Sequence, residues 1–276
     1  MTGILILCAV HKGCQHVHSI LQKIVDHKLL EVQSAKTATA ISELEKQAVD
    51  ARPPRDFLSA LQTPGEINLI AEVKKASPSK GIIREDFDPV RIAEAYQSAG
   101  ASCISVLTDE KFFQGHRDFL VAVGNAVELP TLRKDFIIDP WQVYDARCAG
   151  ADAVLLIAEC LEAQQLKDLH SLINELGMVA LVELYERANI EKVLACNPTL
   201  VGVNNRDLNT FEVSLEHSID IRRSLPQELT FVSESGISSN AEVTRLLDAD
   251  VDAILVGESL MRADDIAAAV RQLLGN

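Results

Sequence analysis

Charges that interrupt the most apolar stretches constrain this chain more than any other feature. Leu69-Ile70-Ala71-Glu72-Val73-Lys74, Pro130-Thr131-Leu132-Arg133-Lys134-Asp135 and Met178-Val179-Ala180-Leu181-Val182-Glu183 each pass from aliphatic to ionic within a few residues. Leu200-Val201-Gly202-Val203-Asn204 and Thr230-Phe231-Val232-Ser233-Glu234 repeat the pattern. A parallel strand covered on both faces reads as a continuous apolar run. A charge within it is costly unless the strand has reached an opening. Five strands ending this way describe one polar pocket at one end of a sheet, where an α/β barrel keeps its chemistry.

Runs centred near Ile70, Ile104, Leu132, Leu155, Leu181, Val201, Val232 and Leu255 predict eight strands. Helical patterning falls at 90–99, 117–127, 141–149, 163–176, 186–195, 215–224, 241–248 and 265–274. Asp88-Pro89, Asp139-Pro140 and Ser239-Asn240 carry helix-start chemistry. Gly100, Gly150 and Gly177 stand where a helix ends in a left-handed residue. Upstream, Ile20, Leu21, Ile24, Val25 and Leu29 predict one helix over 19–50, stopped by Ala51-Arg52-Pro53-Pro54. A short helix over 56–61 follows. The fold class is therefore α/β, a single (β/α)8 TIM barrel with an N-terminal helical extension. Residues 1–65 form the extension and 66–276 the barrel, within one structural domain. The rival open doubly wound sheet announces itself by a Gly-rich turn after its first strand; here that strand ends in Glu72-Val73-Lys74-Lys75.

A chain of 276 residues, 47% hydrophobic, suits one large domain. Its net charge of −14 argues against nucleic acid or an anionic membrane as partner. Six cysteines (Cys8, Cys14, Cys103, Cys148, Cys160 and Cys196) show no disulfide framework, which points to a reducing, cytoplasmic compartment. The apolar run over 4–10 lacks a preceding basic residue and is too short to span a bilayer. Cys8, His11, Cys14, His16 and His18 match no standard zinc module, so no metal is expected.

Residues two apart on a strand share a face. Glu72 and Lys74 should therefore both reach the mouth, joined by Lys134, Glu183, Asn204 and Glu234. Lysines and carboxylates converging this way suit proton transfer, although a structural ion-pair plug would use the same residues. Ser233-Glu234-Ser235-Gly236-Ile237 and Val256-Gly257-Glu258-Ser259-Leu260 follow the seventh and eighth strands, where small residues let backbone amides approach a phosphate. Lys75-Ala76-Ser77-Pro78-Ser79-Lys80-Gly81 reads either as a mobile loop over the mouth or as a solvated connection. Arg206 either grips a substrate carboxylate or pairs with Asp207 or another acid.

The stretch from Ile70 to Gly81 resembles the opening signature of the indole-3-glycerol phosphate synthase family. The likeness continues through 107–115, 132–139, 202–208, 233–237 and 255–261, in the family's order, and covers roughly residues 20–274. It implies ring closure, decarboxylation and dehydration of 1-(2-carboxyphenylamino)-1-deoxyribulose 5-phosphate in tryptophan biosynthesis, with no metal or organic cofactor. It assigns Lys134 as the general acid, expected to carry a lowered pKa. Glu72 and Glu183 become acid/base groups, Lys74 a substrate contact that shares the acid role, and Asn204 and Glu234 orienting groups. Ser235, Gly236, Gly257 and Ser259 would hold the phosphate, with Ser77 and Arg206 near the anthranilate carboxylate. The expected partner is a small phosphorylated substrate. A monomer is compatible with the sequence, and other tryptophan-pathway enzymes are candidate partners.

Two departures stand out. Residues 1–18 precede the resemblance, and His116-Arg117 replaces neutral residues in a loop that can reach the pocket rim. Two rival functions remain: a different sugar-phosphate isomerase barrel, or a catalytically silent scaffold. A scaffold would tolerate loss of Glu72, Lys74, Lys134, Glu183 or Asn204, and all five are present.

Overall fold

The computed structural model describes residues 20–207 and 210–276. The apolar run over 4–10, the Cys8–His18 cluster and Leu208 lie outside the described residues. Eight parallel strands close into a barrel: β1 Asn68–Val73, β2 Cys103–Leu107, β3 Thr131–Lys134, β4 Ala153–Ile157, β5 Val179–Leu184, β6 Leu200–Asn204, β7 Thr230–Glu234 and β8 Ala253–Val256. Each pairs with its neighbours in chain order, and β1 closes on β8 through Ile70 beside Leu255.

Strand alternation divides the apolar residues into two cores. Ile70, Cys103, Leu132, Leu155, Leu181, Leu200, Val232 and Leu255 fill the barrel. Leu69, Ile104, Val154, Val182, Val201, Phe231 and Ile254 face outward and pack under the helices. Each fully buried Leu or Ile contributes about 1.5–3 kcal/mol. Two residues beyond the inward apolar layer come Glu72, Lys134, Glu183 and Glu234, so the period-2 pattern that builds the core also aims these groups into the mouth.

The helices are α1 Ile20–Ala38, α2 Ile41–Asp50, α3 Pro89–Ser98, α4 Glu110–Phe113, α5 Arg117–Ala126, α6 Pro140–Cys148, α7 Ala163–Glu175, α8 Ile190–Leu194, α9 Leu215–Arg222, α10 Asn240–Leu247, α11 Glu258–Met261 and α12 Ile266–Leu274. Their expected caps are present. Asp88 accepts from the N–H groups of Val90 and Arg91, Asp139 accepts from that of Trp141, and Ser239 and Glu242 form a capping box. Gly100, Gly150 and Gly177 have φ of +100°, +80° and +76°.

Three local expectations need correction. The helix expected over 19–50 is broken at Thr39-Ala40. No proline or glycine marks the break; Trp141 Nε1 donates to the Thr39 carbonyl at 2.9 Å and Lys36 pairs with Asp139 at 2.6 Å, docking the corner on α6. The helix expected over 56–61 is a single 3-10 turn, Ser59–Leu61. With Phe57, Leu61 plugs the barrel end opposite the mouth. The helix expected over 186–195 is a 3-10 turn, Arg187–Asn189, running into α8.

Candidate active site

The first helix reaches the mouth. Ile20 and Ile24 of α1 line a cavity of about 130 Å³ together with Glu72, Ser77, Pro78, Leu107, Phe113, Lys134, Phe136, Leu155, Glu183, Asn204, Arg206, Phe211, Ser235 and Glu258. One wall is aromatic and aliphatic, and the floor is ionic. An adjoining cavity of about 260 Å³ is lined by Arg206, Ser235, Gly236, Ile237, Ser238, Gly257, Glu258, Ser259 and Arg262. The two share Arg206, Ser235 and Glu258, so a molecule with an aromatic end and an anionic end fits along them.

Lys134 is the centre of the floor. Its Nζ lies 3.2 Å from Glu183 Oε2 and 3.2 Å from Glu234 Oε2. Asn204 Nδ2 donates to the other oxygen of Glu183 at 3.4 Å, and Asn204 Oδ1 accepts the Arg206 N–H at 3.0 Å. Strand register sets this grouping: Ile157 is beside Glu183 and Asn204 beside Glu234. Lys74 pairs closely with Glu72. Two glycines make the space. A Cβ on Gly202 would collide with Glu234 Oε1, and one on Gly257 with Glu72 Oε1.

The electrostatics differ from group to group. Burial opposes the charge on Lys134, but Glu183, Glu234 and Glu72 together outweigh it and push the ammonium pKa up. The lowered pKa expected for Lys134 is thus corrected: acidic side chains surround it, where a lowered value needs an apolar or cationic setting. Burial opposes the charge of Glu72 too, yet Lys74 and Lys134 hold its carboxyl below the ordinary range. Glu234 goes the other way. Burial and the neighbouring Glu183 raise its carboxyl pKa well above the ordinary value, against the opposing pull of Lys134.

The structure brings Glu72, Lys134, Glu183, Asn204, Ser77 and Arg206 to the first cavity, and Arg206, Ser235, Gly236, Gly257 and Ser259 to the second. Glu234 lies beneath the floor, 1% exposed, and Lys74, expected at the mouth, pairs with Glu72 but lines neither cavity. Ser235 and Gly236 both have positive φ, +69° and +78°. For Ser235 that conformation costs about 1–2 kcal/mol. The Ser259 hydroxyl donates to the Ile237 carbonyl at 2.9 Å, tying the two loops together. Ala76–Ser77 and Gly81–Ile82 pair as a small hairpin above the mouth. Arg206 has Glu258 at 3.5 Å, rather than Asp207, as its carboxylate neighbour.

Some expected rim residues are structural. His116 caps α5 by accepting the Asp118 N–H at 3.1 Å, and Arg117 pairs with Asp145 at 2.7 Å. Sequence reasoning missed Glu258, whose carboxylate bridges Arg206 and Arg262. It stood inside a motif read only for its small residues. The apolar wall from Ile20, Ile24, Phe113 and Phe136 was also missed. Its one available signal was the adjacent Phe112-Phe113 pair in a polar loop.

A family model described as indole-3-glycerol phosphate synthase matches residues 21–273. A protein of that name from Rhodopirellula baltica is 54% identical over 235 residues, 85% of this chain and 91% of that protein. One from Chloroherpeton thalassium is 47% identical over 251 residues, 90% and 96% of the two chains. Among solved structures, KGPDC from Streptococcus mutans superposes with a TM-score of 0.59 at 13% identity, covering 75% of this chain and 95% of that one. A 3-hexulose-6-phosphate synthase gives 0.58 at 14%, covering 76% and 99%. At such identities the structural likeness shows the barrel alone.

Proposed function

This chain belongs to the indole-3-glycerol phosphate synthase family, and from that premise we propose how its mouth divides the work of the reaction. The enzyme closes the pyrrole ring of 1-(2-carboxyphenylamino)-1-deoxyribulose 5-phosphate, then releases carbon dioxide and water. Closure places negative charge on the former ribulose carbonyl oxygen. Lys134, held as an ammonium by its carboxylate neighbours, donates the proton there. Its raised pKa is no obstacle, because an alkoxide is more basic than an amine. Glu183, already 3.2 Å from the ammonium, balances the charge that moves.

Once the ring carbon carries iminium character, carbon dioxide leaves with the bonding electrons returned to the ring. Loss of the hydroxyl as water and of a ring proton completes the indole. Glu72, ionised, acts as base for that half, and Glu183 is the other acid/base group. Lys74 keeps Glu72 charged and shares the acid role. Glu234, from beneath the floor, orients the intermediate through Lys134, and Asn204 orients Glu183. Arg206 and Ser77 receive the anthranilate carboxylate. Ser235, Gly236, Gly257 and Ser259 hold the phosphate, remote from the reacting carbons, where its binding energy serves orientation.

The observation that carries this reading is Lys134 between Glu183 and Glu234 on the floor of one cavity, with the Ser235–Gly236 turn opening the next. The test is incubation with the carboxyphenylamino sugar phosphate while indole fluorescence is followed. Fluorescence should rise, and the dephosphorylated compound should bind far more weakly. Equal binding of both would remove the phosphate assignment.

The proposed organisation is a barrel over 66–276 with 1–65 as its extension, in one structural domain. We place the enzyme in the cytoplasm as a monomer, with other tryptophan-pathway enzymes as candidate partners. Support for a reducing compartment comes from the free thiols of Cys103, Cys148, Cys160 and Cys196. Among the described residues no helix is long and apolar enough to cross a membrane.

A further inference from the structure

Asn204 and Asn205 are adjacent in sequence and face opposite ways at the end of β6. Asn204 belongs to the mouth. Asn205 points behind it, 2% exposed, and every polar atom of its side chain is engaged. Its amide nitrogen donates to Ser233 Oγ at 2.9 Å and to the Ser235 carbonyl at 3.1 Å. Its Oδ1 accepts the Ser218 N–H at 3.0 Å. The hydroxyls of Ser218 and Ser233 are 2.8 Å apart, both fully buried. The Asn205 N–H donates to the Glu234 carbonyl at 2.8 Å, and its carbonyl accepts the Ser214 N–H at 3.1 Å. One buried amide thus joins the ends of β6 and β7 to the start of α9.

The bond to the Ser235 carbonyl has a directional consequence. Ser235 is left-handed, and a non-glycine residue persists there only where its surroundings hold it. Among the described residues there are no cis peptides. In a trans peptide the carbonyl and the following N–H point in opposite directions. Fixing the Ser235 carbonyl toward the buried Asn205 therefore turns the Gly236 N–H away from the core, to the side where Ser235, Gly236 and Gly257 line the second cavity. We propose that Asn205 is a positioning residue for substrate binding: through the Ser235 carbonyl it aims the Gly236 N–H at the substrate's phosphate. This rests on the reading of that cavity as the phosphate seat.

The test compares steady-state kinetics and competitive inhibition by inorganic phosphate in the wild type, Asn205→Asp, Asn205→Ala and Ser233→Ala. Asn205→Asp keeps the shape and the acceptor for Ser218 but loses both donors; Asn205→Ala removes donors and acceptor together without adding charge. Both should raise KM and the phosphate inhibition constant about tenfold or more, with kcat within about threefold. Ser233→Ala removes the other acceptor of Asn205 and should leave both constants within about twofold. A general loosening of the network would move all three variants together, and that outcome overturns the proposal. Should Asn205→Ala fail to fold, Asn205→Ser, too short to reach the Ser235 carbonyl, must show the same rise in KM. Phosphate inhibition of the wild type that is unaltered in folded Asn205→Asp overturns this inference alone. A wild type indifferent to phosphate overturns the phosphate seat and this inference with it.

Discussion

The strand end Leu132-Arg133-Lys134-Asp135 feeds two buried ionic clusters of opposite character. Lys134 turns inward to the mouth. Arg133 and Asp135 turn outward, beneath the helices. There Lys28 of α1, 0% exposed, lies 3.0 Å from Asp109 and 2.9 Å from Asp135. Arg133 lies 3.4 Å from Asp135 and 2.6 Å from Asp145. Thr108 donates to Asp135 at 2.5 Å. This outer cluster is almost wholly buried, with Asp135 also bordering the first cavity, and it ties the mouth-covering helix to the ends of β2 and β3. The inner cluster opens onto a cavity and sets the Lys134 ammonium between the carboxyls of Glu183 and Glu234. Buried charge is therefore no mark of chemistry in itself; Glu72, Lys134 and Glu183 face the cavity together, whereas Lys28, Asp109, Arg133 and Asp145 face only protein.

Substitution should divide the two clusters cleanly. Lys134→Ala should retain the fold, judged by circular dichroism, and lower kcat for ring closure by about 10³–10⁴-fold. Near-normal turnover would move the acid role elsewhere. Lys28→Met should do the reverse in kind. It leaves Asp109 buried without its cation and Asp135 with Arg133 alone, and denaturant unfolding should show a loss of about 3 kcal/mol, with turnover falling far less than in Lys134→Ala. A comparable fall in turnover would show that the clasp is part of the site.

Much of the inner cluster was legible from sequence, because Lys134 lies two residues past the inward Leu132, as Glu183 does past Leu181. Period-2 patterning in a covered strand is a strong local signal. The outer cluster was not legible. Lys28 looks like any charge on an amphipathic helix, and its partners lie about 80 and 100 residues away. The break at Thr39-Ala40 was hidden for the same reason, since Trp141 and Asp139 impose it from α6. The one-turn α4 follows from Asp109, whose Oδ1 accepts the Phe112 N–H at 2.8 Å. That capping is local, yet four residues are too few for periodicity to register.

Acid titration gives a smaller contrast. Burial works against the Asp135 carboxylate, but Lys28 and Arg133 bring its pKa down to about 2, from an ordinary 3.8. A carboxyl depressed by folding stabilises the protein above its unfolded pKa, and that contribution is lost as pH falls through the folded value. Between about pH 4 and pH 2 the wild type should lose on the order of 2 kcal/mol from this source. In Asp135→Asn the slope of unfolding free energy over that window should flatten, though the variant is less stable at neutral pH.

Glu234 has the opposite sign. Its raised pKa makes its contribution complete at low pH and lost as pH rises through its folded value, above the ordinary carboxylate range. Glu234→Gln, which keeps shape and a donor, should remove that alkaline-side decline in stability while lowering kcat/KM only about tenfold. A loss as deep as that of Lys134→Ala would mean that Glu234 must ionise during turnover.

Gly257 is a shared wall. On one side it forms part of the proposed phosphate seat, and on the other its missing side chain leaves the niche that Glu72 Oε1 occupies. A methyl group there would crowd the proposed phosphate seat and displace Glu72, the proposed base, in the same stroke. Refitting the barrel to a substrate without a phosphate, by filling the vacated turn with larger residues, would therefore dislodge Glu72 before the new ligand was accommodated. Adaptation of this mouth has to begin on the apolar side, at Ile20, Ile24 or Phe113, where no reacting group leans on the change.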